Sequence, residues 1–329
     1  MLIRPLQCAG ILLSLACSAP AWSQDASATE HIESAAATSS PHIKTVFLIV
    51  MENHNWKGDG TASIKGNSLA PYINYTLLPM ASHAENYNNP AGIHPSLPNY
   101  LWLEAGTGFG IKGDGTPPHY HQSTHAHLVS LLESAGISWK AYQEDISGTD
   151  CPIGLAGPLD PNGSHLYAPR HNPFVYFDDV TNNLDAKSTY CIDHIRPFSE
   201  LVRDLSADNV AQYNFITPNM CDDMHDSCKG SSIAHGDEWL KNNIPAILNS
   251  TAYRSGGAIF IVFDEAARGD GPIPMIVLSP FAKGSGYSDS TYYTHGSTLR
   301  TLQEIFGVTP LQRDAAKQTD LKGLFQVFP

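Results

Sequence analysis

The sequence predicts an α/β protein in which a mostly parallel sheet is covered by helices on both faces. Two observations support this fold class. Apolar segments of strand-like composition alternate along the chain with segments of helical periodicity. Several strand-like segments, such as residues 257–263 (GAIFIVF), are apolar throughout. Such runs are typical of parallel strands that are buried on both faces.

The predicted elements follow one another in a regular order. The first strand is residues 45–51, and the segment 123–135 has helical spacing and ends at Gly136. Residues 145–197 are rich in Gly, Pro, Asn and Asp, which predicts a long excursion from the core. Further helices are predicted at about residues 70–79, 97–105, 198–205, 236–249 and 297–306, and further strands at 137–142, 213–217, 257–263 and 273–278.

The composition predicts a large core and argues against nucleic acid as a partner. The chain has 329 residues, of which 42% are hydrophobic and 16% are charged, against about 25% charged in an average soluble protein. This composition excludes a disordered chain and a coiled coil. Lys and Arg number 19 against 32 Asp and Glu, giving a formal charge of −13 without a basic cluster.

The first 23 residues have the three regions of a secretory signal peptide. Arg4 precedes an apolar run, and small residues follow around positions 19–23. The apolar run is shorter than the ~20 residues of a spanning helix, so we expect no stable membrane insertion. We therefore predict a secreted or periplasmic protein with a signal peptide at 1–23, a flexible linker at 24–43 and one folded domain at 44–329.

The cysteine content agrees with export. Removal of the leader leaves four cysteines, Cys151, Cys191, Cys221 and Cys228, and four cysteines allow three pairings. The simplest pairing joins Cys221 to Cys228 and Cys151 to Cys191. A zinc site is the alternative, although the sequence contains no Cys-x-x-Cys pair.

Two predicted strands end in polar residues that could share a cation. Residues 47–51 are followed by Glu52 and Asn53, and residues 259–263 are followed by Asp264 and Glu265. Ligands bind beyond the carboxyl ends of strands in open α/β sheets, so these side chains converge if the two strands are parallel neighbours. An all-oxygen set of ligands suits Ca²⁺, Mg²⁺, Mn²⁺ or iron better than Zn²⁺. Solvated strand ends are the alternative interpretation.

A serine stands at the start of a predicted helix. Ser96 can cap this helix, and Pro98 suits its first turn. Free backbone N–H groups at a helix N-terminus bind phosphate oxygens, and a nearby divalent ion would activate the hydroxyl. Ser96 is therefore a candidate nucleophile, with a simple capping serine as the alternative.

Taken together, these motifs resemble a known family. The sequence is similar to the phosphoesterase family of bacterial and fungal acid phosphatases and phospholipases C, which belongs to the alkaline-phosphatase-like superfamily. The resemblance spans about residues 44–310, and it implies an α/β/α sandwich and metal-assisted phosphoryl transfer. The segments that carry it are residues 52–54, 95–100, 139–144, 171–174, 217–219 with Asp223 and His225, 263–265 and 295–300.

The resemblance assigns roles by position. It implies that the domain at 44–329 is catalytic, that Ser96 is the covalent nucleophile and that one divalent metal ion is bound. The implied metal ligands are Glu52, Asn53, Asp264 and Glu265; His171, His225 and His295 are implied to be catalytic, and Asn99 and Asp223 to bind substrate.

These assignments predict an acid phosphatase that hydrolyses phosphate monoesters through a phosphoserine intermediate. Because the protein is acidic, we expect the metal and protonated histidines to attract the anionic substrate, which favours an acid optimum. The substrate would be a small-molecule or lipid phosphate ester. One alternative is a phospholipase C-type phosphodiesterase, and an alternative of another class is a non-catalytic secreted binding protein on the same fold.

Overall fold

A mixed sheet of eight strands forms the centre of the computed structural model, which describes residues 42–329. The predicted signal peptide and nearly all of the predicted linker lie outside the described residues. The strands are β1 (Thr45–Met51), β2 (Ser82–Ala84), β3 (Tyr87–Asn88), β4 (Trp139–Gln143), β5 (Ala156–Leu159), β6 (His165–Tyr167), β7 (Ile195–Pro197), β8 (Tyr213–Thr217), β9 (Gly257–Phe263), β10 (Met275–Leu278), β11 (Tyr287–Asp289) and β12 (Tyr293–Thr294).

The strand order in the large sheet is β11-β2-β10-β9-β1-β8-β4-β7. Neighbouring strands pair in parallel except at β10, which runs antiparallel to both β9 and β2. The prediction of a mostly parallel sheet is therefore confirmed. Every residue of β9 is buried, as its uninterrupted apolar sequence predicts. Two small pairs, β3 with β12 and β5 with β6, lie outside this sheet.

Helices flank the sheet in an α/β sandwich. Helix packing joins α2 to α4 and α10, and joins α7 to α8 and α8 to α9. The helices are α1 (Leu78–Met80), α2 (Ser96–Ala105), α3 (Pro117–Tyr120), α4 (Leu128–Ser134), α5 (Asp178–Thr181), α6 (Thr189–His194), α7 (Leu201–Ser206), α8 (Ser232–Asn249), α9 (Thr251–Arg254) and α10 (His295–Phe306). Short 3₁₀ helices lie at Gly60–Ala62, Pro169–His171, Pro173–Tyr176, Phe198–Glu200, Arg313–Ala316 and Leu321–Leu324, and a π-helix at Ile73–Leu77.

Most predicted boundaries agree with the structure to within about two residues, and three helices are exceptions. The strands at 45–51, 213–217 and 257–263 have the predicted limits. Helix α4 begins at Leu128, five residues after the predicted start, because its N-cap His127 is extended, and α8 begins at Ser232, four residues before the predicted start. The helix predicted at 70–79 is divided into a π-helical turn and α1.

The predicted excursion at 145–197 departs from the carboxyl end of β4 and is closed by a disulfide between Cys151 and Cys191. A second disulfide joins Cys221 to Cys228 in the segment after β8. Both are the simplest pairings predicted from the sequence. No helix within residues 42–329 is long and apolar enough to span a bilayer.

Candidate active site

The sheet brings the two predicted strand ends together. Strands β1 and β9 are parallel neighbours, and their last residues, Met51 and Phe263, are paired in register. The Asp264 N–H donates to the Met51 carbonyl oxygen at 2.9 Å, which extends the pairing by one residue. Glu52 and Asp264 are both completely buried at this edge. The convergence expected from the strand-end rule is therefore observed for these two residues.

The Ser96 hydroxyl points at one of these carboxylates. Ser96 Oγ donates to Glu52 Oε2 at 2.9 Å, and both groups are buried. The prediction that Ser96 caps α2 is wrong, because the N-cap residue is Pro95 and Ser96 is the first helical residue. This position leaves the hydroxyl free to face the strand ends.

The N-terminus of α2 offers fewer free N–H groups than the sequence predicts. The Leu97 N–H donates to Asp114 Oδ1 at 3.0 Å. Pro98 follows and has no N–H. Phosphate oxygens near Ser96 must therefore find most of their partners on other elements.

Asn53 folds back onto Asp264. Its backbone takes a left-handed conformation, with φ of 49°, which asparagine tolerates better than most residues. Its N–H donates to Asp264 Oδ1 at 3.1 Å, and the Glu265 N–H donates to the same oxygen at 2.6 Å. One oxygen of Asp264 is thus held by two backbone donors, while the other is left free.

Three buried oxygens at the strand ends have no hydrogen-bond partner: Glu52 Oε1, Asn53 Oδ1 and Asp264 Oδ2. Burial, together with the negative charges of Asp264 and Asp223, raises the pKa of Glu52 well above its usual value. Burial also raises the pKa of Asp264 to about 6. Orphaned acceptors among clustered carboxylates are the surroundings in which a bound cation offsets the cost of burial.

Glu265 stands at the outer side of this cluster. Its Oε2 accepts from Asn99 Nδ2 at 3.1 Å and lies 2.6 Å from His94 Nδ1. Burial and the neighbouring charge of Asp264 raise the pKa of Glu265 to about 9. Asn99, predicted to bind substrate, also donates to the backbone oxygen of Ile93 at 3.0 Å. The structure thus places the Asn99 amide nitrogen against Glu265 and the loop before α2.

His171 links the strand ends to the excursion. Its Nε2 lies 3.2 Å from Glu52 Oε1, and its Nδ1 lies 3.1 Å from Asp223 Oδ2. The ring stacks on Tyr100 with centroids 5.2 Å apart. Ligand atoms of Glu52, His171 and His225 lie within 4.8 Å of one another, close enough to share one metal ion. This cluster shares only Glu52 with the ligand set expected from the sequence.

His295 supports the site from α10. Its Nε2 donates to the backbone oxygen of Asp264, so its Nδ1 accepts the hydrogen bond from the Tyr87 hydroxyl, 2.9 Å away. The ring therefore holds one neutral tautomer and positions the strand end after β9.

The expectation that protonated histidines supply positive charge in acid is wrong for two of the three. Burial, with the nearby charge of Arg170, lowers the pKa of His171 well below its usual value. Burial lowers the pKa of His295 to about 4. Both rings stay neutral in mild acid. Arg170, which the sequence analysis did not single out, brings a permanent positive charge close to His171, Glu52 and Asp223.

Other residues that the sequence analysis missed surround the site. His94 bridges two acids, with Nδ1 at Glu265 and Nε2 lying 3.1 Å from Asp270 Oδ1. Asp114 and Asp270 both stand in Gly-Asp-Gly segments, which suggest only turns. The position of His94, two residues before Ser96, could have marked it as a site residue. Its partners, Glu265 and Asp270, are too distant in sequence for a local pattern to reveal them.

Solved structures of other proteins share this fold. The structure resembles a putative sulfatase from Bacteroides thetaiotaomicron, with a TM-score of 0.56 and 11% identity, over 88% of this chain and 75% of that chain. It also resembles an alkaline phosphatase superfamily protein from Vibrio parahaemolyticus, with a TM-score of 0.52 and 11% identity, over 84% of this chain and 70% of that chain. The chain therefore has an alkaline-phosphatase-like α/β fold.

Sequence comparison identifies the family. The model of the Phosphoesterase family matches residues 85–309. A phosphatidylinositol-3-phosphatase from Mycobacterium tuberculosis is 29% identical over 88% of this chain and 86% of its own length. An acid phosphatase from Aspergillus fumigatus is 30% identical over 67% of this chain, and the match spans 47% of the fungal protein. The chain belongs to the Phosphoesterase family and is a phosphoric ester hydrolase.

Proposed function

We propose that this protein is an exported, metal-dependent acid phosphatase that hydrolyses phosphate monoesters through a phosphoserine on Ser96. The hydrogen bond from Ser96 Oγ to Glu52 Oε2, at 2.9 Å, carries the proposal. It combines a buried hydroxyl with a cluster of carboxylates at the carboxyl edge of the sheet, where α/β enzymes bind their ligands. The relatives named acid phosphatase support the reaction and its acid range.

The proposed metal ligands are the oxygens of Glu52, Asn53, Asp264 and Glu265. The unpartnered acceptors on the first three of these residues support this set, because each has a lone pair available for a cation. When bound, a divalent ion would lower the pKa of a nearby hydroxyl and offset the charge of the phosphate. His171 and His225 form a competing set with Glu52, and that set would favour a metal that accepts imidazole nitrogen.

The chain's own residues provide the remaining chemistry. The Ser96 proton is directed at Glu52 Oε2, which leaves an oxygen lone pair free for in-line attack on phosphorus. The new bond joins Ser96 Oγ to phosphorus as the bond to the leaving oxygen breaks. The hydroxyl proton passes to Glu52 and from there to the leaving alkoxide, which departs as the alcohol. Water then attacks the phosphoserine, releases inorganic phosphate and restores the hydroxyl. His171, His225 and His295 are proposed to orient the phosphoryl group and the carboxylates around it.

Export and domain organisation are part of the proposal. The two disulfides support an oxidising compartment, as expected for a secreted or periplasmic protein. The folded region from residue 44 onward contains every proposed site residue, and we propose that residues 44–329 form the catalytic domain.

The test combines substrate, metal and trapping measurements on the purified protein. We expect turnover of phenyl phosphate to exceed that of its diester and of phosphatidylcholine, and chelation to remove most of it. Acid quenching during turnover of ³²P-labelled monoester should leave label on wild-type protein and none on Ser96→Ala. Full activity after chelation, with no metal detected by mass spectrometry, would disprove the metal site. Faster turnover of phosphatidylcholine would instead favour the phospholipase C alternative, and no turnover of any ester would favour the binding protein.

A second substrate class has specific support. The Mycobacterium tuberculosis relative, whose name gives phosphatidylinositol 3-phosphate as its substrate, matches over most of both chains. A phosphoinositide monoester would use the same chemistry at Ser96. Turnover of soluble dibutanoyl phosphatidylinositol 3-phosphate, measured beside phenyl phosphate, tests this alternative.

A further inference from the structure

A cavity lies beside the candidate active site. Its volume is about 450 Å³, and its walls include Leu155, His165, Arg170, Met220, His225 and Asp226. This size falls within the usual range of small-molecule sites. His225 belongs both to this wall and to the cluster that contains Glu52 and His171. The cavity therefore adjoins the proposed reaction centre, on the side of the excursion.

Arg170 has almost no partners for its guanidinium. Its nearest carboxylate is Asp114, whose Oδ2 lies 3.8 Å from Arg170 Nε, and within residues 42–329 its sole hydrogen-bond acceptor is the Met220 sulfur at 3.3 Å. Sulfur is a weak acceptor. Most of the five N–H donors of this side chain therefore have no acceptor among the described residues.

A second arginine of equal exposure shows how unusual this is. The side chains of Arg170 and Arg196 are each 20% exposed. Arg196 donates to both carboxylate oxygens of Glu200, at 2.9 and 2.8 Å, and also to two backbone carbonyl groups. Arg170 lacks such partners where it lines the cavity, so its remaining donors are open to a ligand there. Charge-assisted hydrogen bonds from a guanidinium to an anion are among the strongest in proteins, so an anionic ligand suits this position.

The other charged groups of the cavity favour the same kind of ligand. Its carboxylate, on Asp226, is already engaged, since Asp226 Oδ1 lies 2.8 Å from His225 Nδ1. His165 adds a second imidazole, whose Nδ1 lies 3.2 Å from the Gly157 carbonyl oxygen. Arg170 thus gives the wall its positive charge, and its nearest carboxylate, Asp114, is not among the residues that line the cavity.

We propose that this cavity binds the leaving group of the substrate, and that Arg170 is a specificity-determining residue that recognises a second anionic group, such as a second phosphate, on that leaving group. The inference rests on the proposed function, in which the transferred phosphoryl group lies at Ser96. A guanidinium fits phosphate through two parallel hydrogen bonds, so a planar donor at this position selects phosphate over a neutral hydroxyl.

The test compares esters that differ only in the second phosphate. The kcat/KM for glucose 1,6-bisphosphate is measured against that for glucose 1-phosphate and glucose 6-phosphate, and the preference is its ratio to the better monophosphate. We expect wild-type protein to prefer the bisphosphate, and Arg170→Gln to lower this preference about tenfold or more. Arg170→Lys should recover part of the preference, because it restores the charge without the planar geometry.

The matched control is Arg203→Gln, which removes one positive charge from a side chain that is 68% exposed on α7. This control should keep the wild-type preference. Equal losses on the bisphosphate and monophosphates in Arg170→Gln would assign Arg170 to the transferred phosphoryl group and overturn the inference. A wild-type protein without any preference would also overturn it.

Binding to the Ser96→Ala protein separates this inference from the proposed function. Calorimetry measures the affinity of this variant for glucose 1,6-bisphosphate and for glucose 6-phosphate without turnover. Selective binding that depends on Arg170 would support the cavity assignment even if every phosphatase assay failed. Equal binding of both sugars would refute it. Dibutanoyl phosphatidylinositol 3-phosphate, whose leaving group carries a phosphodiester, tests whether a lipid headgroup supplies the second anion in place of a soluble sugar.

Discussion

Helix α2 has a buried carboxylate beside each of its ends, and the two carboxylates have different surroundings. Beside its first residue, Glu52 is flanked by the charges of Asp264 and Asp223. Near its last residue, Glu104 is alone, and its Oε1 accepts a hydrogen bond from the Tyr213 hydroxyl at 2.5 Å. Both side chains are completely buried.

The comparison shows that burial alone does not make a catalytic site. Burial raises the pKa of Glu104 to about 8, so one proton suffices to neutralise this side chain around neutral pH. Around Glu52 several carboxylates lie close together, and their mutual repulsion favours the binding of one cation by more than one of them. A cation bound to such a cluster would make a neighbouring serine hydroxyl more reactive. The tyrosine beside Glu104 makes only a structural hydrogen bond.

The largest expected effect is the loss of activity when the Ser96 hydroxyl, at the start of α2, is removed. Ser96→Ala should lower kcat for a monoester by about a thousandfold or more, because the proposed covalent intermediate forms on this hydroxyl. Steady-state kinetics measure the loss, and circular dichroism checks the fold. The control is Ser134→Ala in α4, whose hydroxyl is exposed and donates to the Ser130 carbonyl oxygen. Activity of Ser96→Ala within tenfold of wild type would contradict the assignment.

A second variant tests whether the carboxylate cluster needs a cation. Glu52→Gln should bind less metal by mass spectrometry and lose about a hundredfold in kcat/KM, because it removes both a ligand charge and the acceptor of the Ser96 proton. In chelator the same variant should be more stable than wild type near pH 7, by about 1–4 kcal/mol, because the wild-type carboxyl must take up a proton to remain buried and the amide need not.

Thermal unfolding with and without chelator measures that difference in stability. Glu104→Gln is the matched control, because it makes the same substitution at the other end of α2 and should keep the metal and the activity. A chelated Glu52→Gln protein less stable than chelated wild type would show that the cluster carries no repulsion, and the contrast between the two ends would disappear.

The sequence could predict the surroundings of Glu52, beside the first residue of α2, but not those of Glu104, near its last residue. Glu52 and Asp264 follow apolar strands, and the strand-end rule places such residues at the ligand-binding edge of a parallel sheet. Glu104 lies in a helix whose partner, Tyr213, is 109 residues away, and no local pattern reports such a contact. Periodicity therefore located the sheet and its reactive edge.

Residues held by the excursion could not be placed from the sequence in the same way. His171 reaches Glu52 only because residues 145–197 fold back over the carboxyl edge, and that path depends on long-range packing. Arg170 lies in the excursion, whereas its hydrogen-bond partner Met220 lies in the segment after β8, so this contact is also long-range. The histidine motif was visible in the sequence, but its buried and neutral state is a property of the folded protein.

The last prediction concerns Glu104, and its effect is on stability alone and depends on pH. The pKa of Glu104 is about 8 in the folded protein, above its ordinary value of 4.5, so the folded state holds the proton more tightly than the unfolded state. This contribution to stability is complete below about pH 4.5, declines by up to about 1.4 kcal/mol per pH unit and is lost near pH 8. Glu104→Gln keeps an acceptor for Tyr213 but cannot ionise, so its free energy of unfolding should fall less between pH 5 and pH 8 than that of wild type.

Urea unfolding of both proteins at pH 5, 6.5 and 8 measures the difference. Parallel pH profiles would mean that Glu104 titrates normally, and then a buried carboxylate on this fold would need neither a proton nor a cation.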